Sequence, residues 1–128
     1  MREILFRGKR LNGGGWVIGD LSRVVHDGGR AFVFPADGLD SADRYEVDPA
    51  TIGQFAGLTD KNGKRIWEGD ICRDSLGWKY EVVWDDENGR FLGRHSRPRG
   101  DTYICYVGRE PKSEVIGNIH DNPEMAAK

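Results

Sequence analysis

Apolar and polar residues alternate along most of this chain, and the alternation has a period of two. The clearest case is WKYEVVW, in which Trp78, Tyr80, Val82 and Trp84 fall on one side and the residues between them on the other. This alternation indicates β-strands, because successive side chains of a strand point to opposite faces. Further strands are predicted at EILFRGKRL, WVIGDL, RVVH, RAFVF, RFLGR, TYICYV and EVIGNI. The pattern as a whole predicts an all-β protein.

Turns that are rich in glycine separate the predicted strands. The chain contains 18 glycines among 128 residues, about twice the usual share of ~7%. The segments NGGG at 12–15 and DGG at 27–29 are predicted to join strands, because glycine and asparagine accept the positive φ angles that hairpins need. The main helical signal is Asp48 before Pro49, which predicts a single turn capped by Asp48.

We expect the chain to form two subdomains. Residues 1–50 are predicted to form an N-terminal β-meander that carries an acidic loop at 35–44. Residues 51–128 are predicted to form a C-terminal barrel-like sheet, on which the meander packs, and a polar tail, HDNPEMAAK, that frays. The run of short strands with a Glu-Gly-Asp corner suggests a Src-homology-3-like barrel, by analogy between folds.

One stretch, GLTDKNGKRIWEGDI, concentrates acids, an amide and glycines. Asn62-Gly63 is predicted to be the tip of a hairpin, since Asn-Gly is the strongest short hairpin signal. A two-residue turn would place Asp60 opposite Arg65 as an exposed ion pair, which adds little stability. A three-residue loop with a bulge at Gly63 would instead place Asp60 opposite Lys64.

The acids of this stretch do not have the spacing of a calcium loop. An EF-hand loop needs oxygen ligands at positions 1, 3 and 5 and glycine at position 6, but counting from Asp60 places Lys64 at position 5. We therefore interpret the stretch as a hairpin followed by a corner, and we expect no metal ion. The residues of this structural turn are Asp60, Asn62, Gly63, Gly69 and Asp70.

Three segments of the chain resemble the YopX family of phage and prophage proteins. MREILFRGKR followed by WVIGDL resembles the N-terminal signature of that family. VDPATIGQFAGLTDKNGKRIWEGDI, at 47–71, resembles its most recognisable segment, and EVIGNIHDNPEM, at 114–125, resembles its closing motif. The resemblance implies a β-rich protein encoded by a bacteriophage or an integrated prophage. It supplies neither an activity nor site residues.

The net charge and hydropathy of the chain argue against a highly basic protein and against a membrane protein. The formal net charge of −2 argues against a surface coated in positive charge. No apolar stretch approaches the ~20 residues of a membrane-spanning helix, and MREILFRGKR lacks the apolar core of a signal peptide. We therefore expect a protein of the bacterial cytoplasm without a membrane role.

Cys72 and Cys105 lie in apolar runs, which favours buried thiols over a disulfide.

The strongest functional signal is a basic segment, RFLGRHSRPRG. Its arginines are Arg90, Arg94, Arg97 and Arg99, and aromatic residues lie in the predicted strands on both sides. Arginine contacts phosphate well, and small β-barrels stack unpaired bases on aromatic side chains. The segment is therefore either a nucleic-acid site or a solvated basic loop that pairs with acids at 35–50. The negative overall charge favours the second interpretation.

The sequence contains no recognisable catalytic motif. His26, His95 and His120 form no metal-spaced pair with another histidine or a cysteine, and G-x-S-x-G, HExxH, CxxC and phosphate-binding loops are absent. We therefore expect no enzyme and no cofactor. The leading hypothesis is a non-catalytic accessory module that binds a protein partner or assembles with itself. The alternative is a nucleic-acid-binding barrel that uses residues 90–99.

Overall fold

Antiparallel strands account for most of the chain. The computed structural model describes residues 3–24, 29–35, 44–75, 77–96, 102–106 and 113–126. The elements in these ranges are β1 (Phe6–Lys9), β2 (Trp16–Val24), β3 (Arg30–Pro35), β4 (Tyr45–Val47), a 3-10 turn (Pro49–Thr51), β5 (Gly53–Thr59), β6 (Arg65–Trp67), β7 (Asp70–Arg73), β8 (Lys79–Asp85), β9 (Arg90–Ser96), β10 (Thr102–Tyr106), β11 (Glu114–Asn118) and α1 (Pro123–Ala126). The all-β prediction is confirmed.

The chain divides into two compact units, Met1–Phe55 and Ala56–Lys128. The division falls inside β5, after residue 55 rather than after residue 50 as expected. Each unit has its own cluster of buried apolar side chains.

Strands β1 to β4 of the first unit form an antiparallel meander in sequence order. The meander curls until its two ends meet. Arg10 bridges to Val47, and the Asp48 N–H donates to the Lys9 carbonyl at 2.8 Å. The buried apolar core of this unit comprises Val17, Ala31, Val33 and Val47. β1 also pairs with the first residues of β5.

The 3-10 turn has the cap that the sequence predicts. Asp48 Oδ1 accepts the Ala50 N–H at 3.0 Å, and Pro49 occupies the start of the turn. Thr51 Oγ1 also accepts the Lys9 N–H at 2.9 Å. The turn therefore connects β4 to β5 and is hydrogen-bonded to β1.

The second unit is built on an antiparallel sheet with the strand order β10-β9-β8-β7-β11, and the later part of β5 pairs with β6. Its core contains Ile66, Cys72, Tyr80 and Val82, with Ala56, Phe91 and Val115 packed against them. A bulge between Val115 and Gly117 shifts the register of β11 against β7. The Src-homology-3-like closure of this unit stays a prediction.

The strand predicted from the period-two pattern forms as β8, and burial along its apolar face changes from the middle to the ends. Tyr80 and Val82 are buried, at 4% and 0% exposure. Trp78 and Trp84 continue the same alternation, but they are 40% and 42% exposed. The core therefore covers the centre of this face and leaves both tryptophans in contact with solvent.

β2 is longer than the pattern predicts. WVIGDL and RVVH were expected as separate strands, but β2 runs without a break from Trp16 to Val24. Residues 25–28, which include most of the predicted DGG turn, and residues 36–43 of the acidic loop lie outside the described residues.

The polar tail forms hydrogen-bonded local structure over the part that the structure describes. Asn118 organises the chain that follows it: Oδ1 accepts the N–H groups of His120 and Asp121 at 3.0 and 2.8 Å. Asn122 Oδ1 accepts the Asn118 N–H at 3.2 Å, and α1 follows. Side-chain amides, which apolar periodicity does not reveal, therefore fix this turn.

Gly8 lies where β1 approaches the core of the first unit, because a Cβ at this position would stand 2.8 Å from Val47 Cγ2. We predict that Gly8→Ala lowers the free energy of unfolding by about 1–3 kcal/mol, the usual effect of overpacking. In a Val47→Ala background the same change should have a smaller effect, because the removed methyl groups leave room. Urea unfolding of the four chains measures this coupling. Equal effects in both backgrounds would show that Gly8 and Val47 do not touch.

Candidate functional site

The hairpin in GLTDKNGKRIWEGDI takes the three-residue form. The Asp60 N–H donates to the Lys64 carbonyl at 2.7 Å, and the Gly63 N–H donates to the Asp60 carbonyl at 3.0 Å. Gly63 has a φ of +80°, in the left-handed region that favours glycine, whereas Asn62 does not have a positive φ. Asp60 therefore lies opposite Lys64. The two-residue alternative, with Asp60 opposite Arg65, is wrong.

The Asp60 carboxylate is buried, at 8% exposure, so the expectation of an exposed acid is also wrong. Its Oδ1 accepts the N–H groups of Asn62 and Lys64 at 2.8 and 2.9 Å. Its Oδ2 accepts the Val115 N–H at 3.0 Å, from a residue 55 positions further along the chain. A single carboxylate thus closes the hairpin and attaches it to β11.

Burial and hydrogen bonding act on Asp60 in opposite directions. Burial disfavours the charged form and by itself raises the pKa of this carboxyl. The N–H donors of Val115, Lys64 and Asn62, with the Lys64 charge, outweigh burial and hold the pKa below its usual 3.8. A metal ion at Asp60 would have to displace these donors, which supports a structural interpretation of the acid.

Gly69 and Asp70 form the corner between β6 and β7. Asp70 is 2% exposed, and its Oδ2 accepts the Trp67 N–H at 2.8 Å. Gly69 has a φ of +91°; its N–H donates to the Val82 carbonyl and its carbonyl accepts the Ile119 N–H, both at 2.9 Å. The corner is therefore hydrogen-bonded both to β8 and to the residue that follows β11.

No candidate metal centre is found in the part of the chain that the structure describes. In these ranges no three His, Cys, Asp or Glu side chains stand close enough together to hold an ion.

The β8–β9 hairpin places a carboxylate opposite each arginine that the structure describes in the basic segment. Asp85 pairs in register with Arg90, and Glu81 pairs with Arg94. Arg90 Nε lies 3.6 Å from Asp85 Oδ2. A hydrogen bond from the Asn88 side chain is the largest effect that lowers the pKa of Asp85, and the Arg90 charge adds to it.

Arg94 is exposed, and the Glu81 opposite it is half-buried. Burial raises the pKa of Glu81, although the Arg94 charge opposes the shift. Arg97 and Arg99 lie outside the described residues. The described arginines therefore lie opposite acids of the neighbouring strand. This pairing depends on strand register, and sequence analysis had considered only the acids at 35–50 as partners.

An exposed aromatic surface lies at the end of the same hairpin. We define the Trp84 surface as Trp84 and Phe91. The Trp84 ring is 42% exposed and meets the Phe91 ring edge-to-face, with centroids 4.8 Å apart. The Asp85–Arg90 ion pair lies at the next position of each strand and therefore on the opposite face of the hairpin. Sequence analysis placed Trp84 on one face with Tyr80 and Val82 but gave no sign that its ring is exposed.

Four polar residues that sequence analysis did not connect meet inside the second unit. His95 is 3% exposed, lies 4.0 Å from an Asp74 oxygen and stacks on the Tyr80 ring at 5.2 Å. The Tyr80 hydroxyl donates to Ser113 Oγ at 3.0 Å, and Ser113 is 1% exposed. Burial withholds His95, Tyr80 and Ser113 from a substrate, so we assign them to the core; Asp74, at the edge of the group, is half-buried. The sequence signal that could have revealed this cluster is the alternation along β8 and β9, which is consistent with Tyr80 and His95 on one face of the sheet.

A family model described as YopX protein matches residues 6–126. The chain belongs to the YopX family. The crystal structure of protein EF1440 from Enterococcus faecalis is similar over 98% of this chain and 99% of that chain, with a TM-score of 0.54 and 23% identity. This likeness shows the fold alone. No curated protein matches the chain.

No helix in the described ranges of this YopX-family protein is long and apolar enough to cross a membrane.

We predict that Asp60→Asn lowers the free energy of unfolding of this YopX-family chain by about 2 kcal/mol, since hydrogen bonds to a charged acceptor contribute roughly 1.5–3 kcal/mol. The amide keeps one acceptor oxygen and presents an NH₂ group to the remaining backbone donor. Asp86→Asn, at the exposed β8–β9 turn, is the matched control and should change stability by less than about 0.5 kcal/mol. Urea unfolding at neutral pH measures both. Equal effects of the two substitutions would contradict the role given to Asp60.

The same pair of chains tests the pKa of Asp60. Because the folded state holds this pKa below the ordinary 3.8, the contribution of Asp60 is complete above the unfolded pKa and is lost as pH falls through the folded pKa. The stability difference between wild type and Asp60→Asn should therefore be constant above about pH 5 and shrink below about pH 4.

Proposed function

We propose that this YopX-family chain is a non-catalytic accessory protein, encoded by a bacteriophage or prophage, that acts in the bacterial cytoplasm by binding a protein partner or a second copy of itself. The observation that carries the proposal is the Trp84 surface. It presents a large aromatic ring to solvent. Tryptophan is among the residue types that most often dominate the binding energy of protein interfaces.

The Trp84 ring is positioned before any partner arrives. Its edge-to-face contact with Phe91, at 4.8 Å, restricts the ring orientation. Side chains that are already ordered lose less conformational entropy on binding, so more of the contact energy contributes to affinity.

The hydrogen bonds and burial of Asp60 and Asp70 support a non-catalytic role for these two acids. Both oxygens of Asp60 accept backbone N–H groups. Asp70 is 2% exposed and accepts the Trp67 N–H. A catalytic acid needs access to a substrate, whereas these two carboxylates hold turns together.

The alternative, a nucleic-acid site on residues 90–99, receives less support. Arg90 and Arg94 lie opposite Asp85 and Glu81. Phosphate groups would approach these carboxylates as well as the arginines, and like charges repel. Arg97 and Arg99 contribute no argument, since they lie outside the described residues.

We predict that Trp84→Ala weakens partner binding or self-association by at least about tenfold, as expected for a central aromatic anchor. Trp78→Ala is the matched control, because Trp78 is the same residue type and is 40% exposed at the other end of β8. Sedimentation velocity over a concentration series measures self-association. Photocrosslinking from positions 84 and 78 in the bacterial host, followed by measurement of the captured complex with purified chains, measures partner binding.

The control variant should match wild type in both measurements, and both variants should keep the wild-type melting temperature within a few degrees. The proposal is contradicted if wild type neither self-associates nor crosslinks from position 84, or if Trp84→Ala and Trp78→Ala bind equally well.

A further inference from the structure

Three turns of the chain carry the same dipeptide, Asn-Gly. The pairs are Asn12-Gly13 between β1 and β2, Asn62-Gly63 in the Asp60 hairpin, and Asn88-Gly89 between β8 and β9. Both residues of each pair are exposed. Asparagine is thermolabile, and a following glycine has no side chain to hinder attack of its nitrogen on the asparagine amide. All three turns therefore allow the same reaction, and their surroundings decide where it occurs.

The reaction is deamidation. The backbone nitrogen of the glycine gives up its proton to solvent and attacks the side-chain carbonyl carbon of the preceding asparagine. Negative charge develops on the side-chain oxygen, the bond to the side-chain nitrogen then breaks, and ammonia leaves with a proton from water. Water opens the resulting succinimide ring at either carbonyl and gives aspartate or isoaspartate. A weakly held glycine N–H and a donor or cation beside the oxygen therefore favour the reaction.

Asn12 has a hydrogen-bond donor at that oxygen. The Gly14 N–H donates to Asn12 Oδ1 at 3.0 Å, in the local turn that asparagine side chains favour. A backbone N–H in this position stabilises the negative charge that develops on Oδ1, as an oxyanion hole does. The Gly13 N–H donates to the Arg10 carbonyl at 3.3 Å, beyond the usual range of about 2.7–3.2 Å. The attacking nitrogen is therefore weakly held.

Arg10 adds a positive charge to the same turn. A Cβ on Gly14 would stand 2.8 Å from Arg10 Nη1 and 2.9 Å from Asn12 Oδ1, so the guanidinium and this oxygen border the same small space. The guanidinium carbon lies 3.9 Å from the Tyr45 ring centroid, and this contact holds the cation in place. Residues 4–19 contain no acid. Arg10 therefore favours negative charge on Asn12 Oδ1.

The Asn88 turn has the opposite charge. Asn88 Nδ2 donates to Asp85 Oδ2 at 2.8 Å, which holds the amide against a carboxylate. The Gly89 N–H donates to the Asp85 carbonyl at 2.9 Å, and Asp86 and Glu87 add two further acids. Negative charge nearby disfavours a second negative charge, and the shorter hydrogen bond holds the glycine nitrogen more firmly. Both features slow deamidation at Asn88.

The Asn62 turn lies between these two cases. The Gly63 N–H donates to the Asp60 carbonyl at 3.0 Å. The Asp60 carboxylate accepts the Asn62 N–H, which brings a negative charge to this turn. The positive charge of Lys64 acts on Asp60, so the two charges partly offset each other at Asn62.

We propose that Asn12 is a modification site of this protein, at which the β1–β2 turn promotes conversion of the asparagine to aspartate and isoaspartate. The predicted order of rates is Asn12, then Asn62, then Asn88. Water is the co-reactant, and ammonia is released. The isoaspartate product belongs to the class of substrates that protein isoaspartate methyltransferases methylate. The inference goes beyond the proposed function and concerns a different unit of the chain.

The test is peptide mapping by mass spectrometry of the folded chain during incubation at neutral and mildly alkaline pH, with isoaspartate counted by enzymatic methylation. Asn12 should convert at least about fivefold faster than Asn88, since one nearby unit charge in water changes a rate by a factor of about five. Asn62 should convert at an intermediate rate. In concentrated urea the ratio of the Asn12 and Asn88 rates should fall at least about twofold, because the folded turns are lost.

Three variants separate the contributions. Arg10→Ala should slow conversion of Asn12 about fivefold. Lys9→Ala is the matched control and should stay within about twofold of wild type, because it removes the same charge from the opposite face of the strand. Asp85→Asn should speed conversion of Asn88 and leave Asn12 unchanged. Circular dichroism melting checks that each variant folds; if Arg10→Ala is unfolded, the urea comparison and Asp85→Asn decide the question.

The inference is overturned by any of three results. The first is that folded wild type converts Asn62 or Asn88 as fast as Asn12. The second is that the ratio of the Asn12 and Asn88 rates is the same in urea, since the local sequence and not the fold would then set the rates. The third is that folded Arg10→Ala converts Asn12 at the wild-type rate.

Discussion

The fold of the second unit depends on one buried carboxylate. Asp60 is 8% exposed, yet it is held in its charged form by three backbone N–H donors. Burying a charge is costly unless hydrogen bonds replace the lost water, and donors that point at a carboxylate do so efficiently. Two donors belong to the hairpin itself and the third to Val115. The same carboxylate therefore stabilises the observed register of the hairpin and attaches the hairpin to β11.

Further hydrogen bonds connect the Asp60 hairpin to the β8–β9 hairpin, which carries Trp84. The Lys61 N–H donates to the Ser113 carbonyl at 2.9 Å, beside the Asp60 contact with Val115. Gly69 then bonds to Ile119 on one side and to Val82 of β8 on the other, each at 2.9 Å. The hairpin, β11 and β8 are thus connected through backbone groups. Rigid strands of this kind can present an exposed ring at a fixed position, which is the property that the proposed binding role requires.

Local patterns predicted much of the fold, and long-range pairing accounts for the rest. Alternation in WKYEVVW and the Asp48-Pro49 pair foretold β8 and the 3-10 turn, because both signals act over a few residues. The burial of Asp60 depends on a donor 55 positions away, and the acids opposite Arg90 and Arg94 depend on the register of β8 and β9. Alternation also identifies the face of a residue but not where the core ends, so the exposure of Trp84 was not foreseen.

Acid titration of the backbone amide protons tests the central role of Asp60 most directly. The amide protons of Asn62, Lys64 and Val115 should shift together in NMR spectra of the folded chain, with one midpoint below the ordinary aspartate pKa of 3.8. The shared transition should disappear in Asp60→Asn. A Val115 amide that does not respond, or that titrates with a different midpoint from Asn62 and Lys64, would contradict the claim that one carboxylate joins the hairpin to β11.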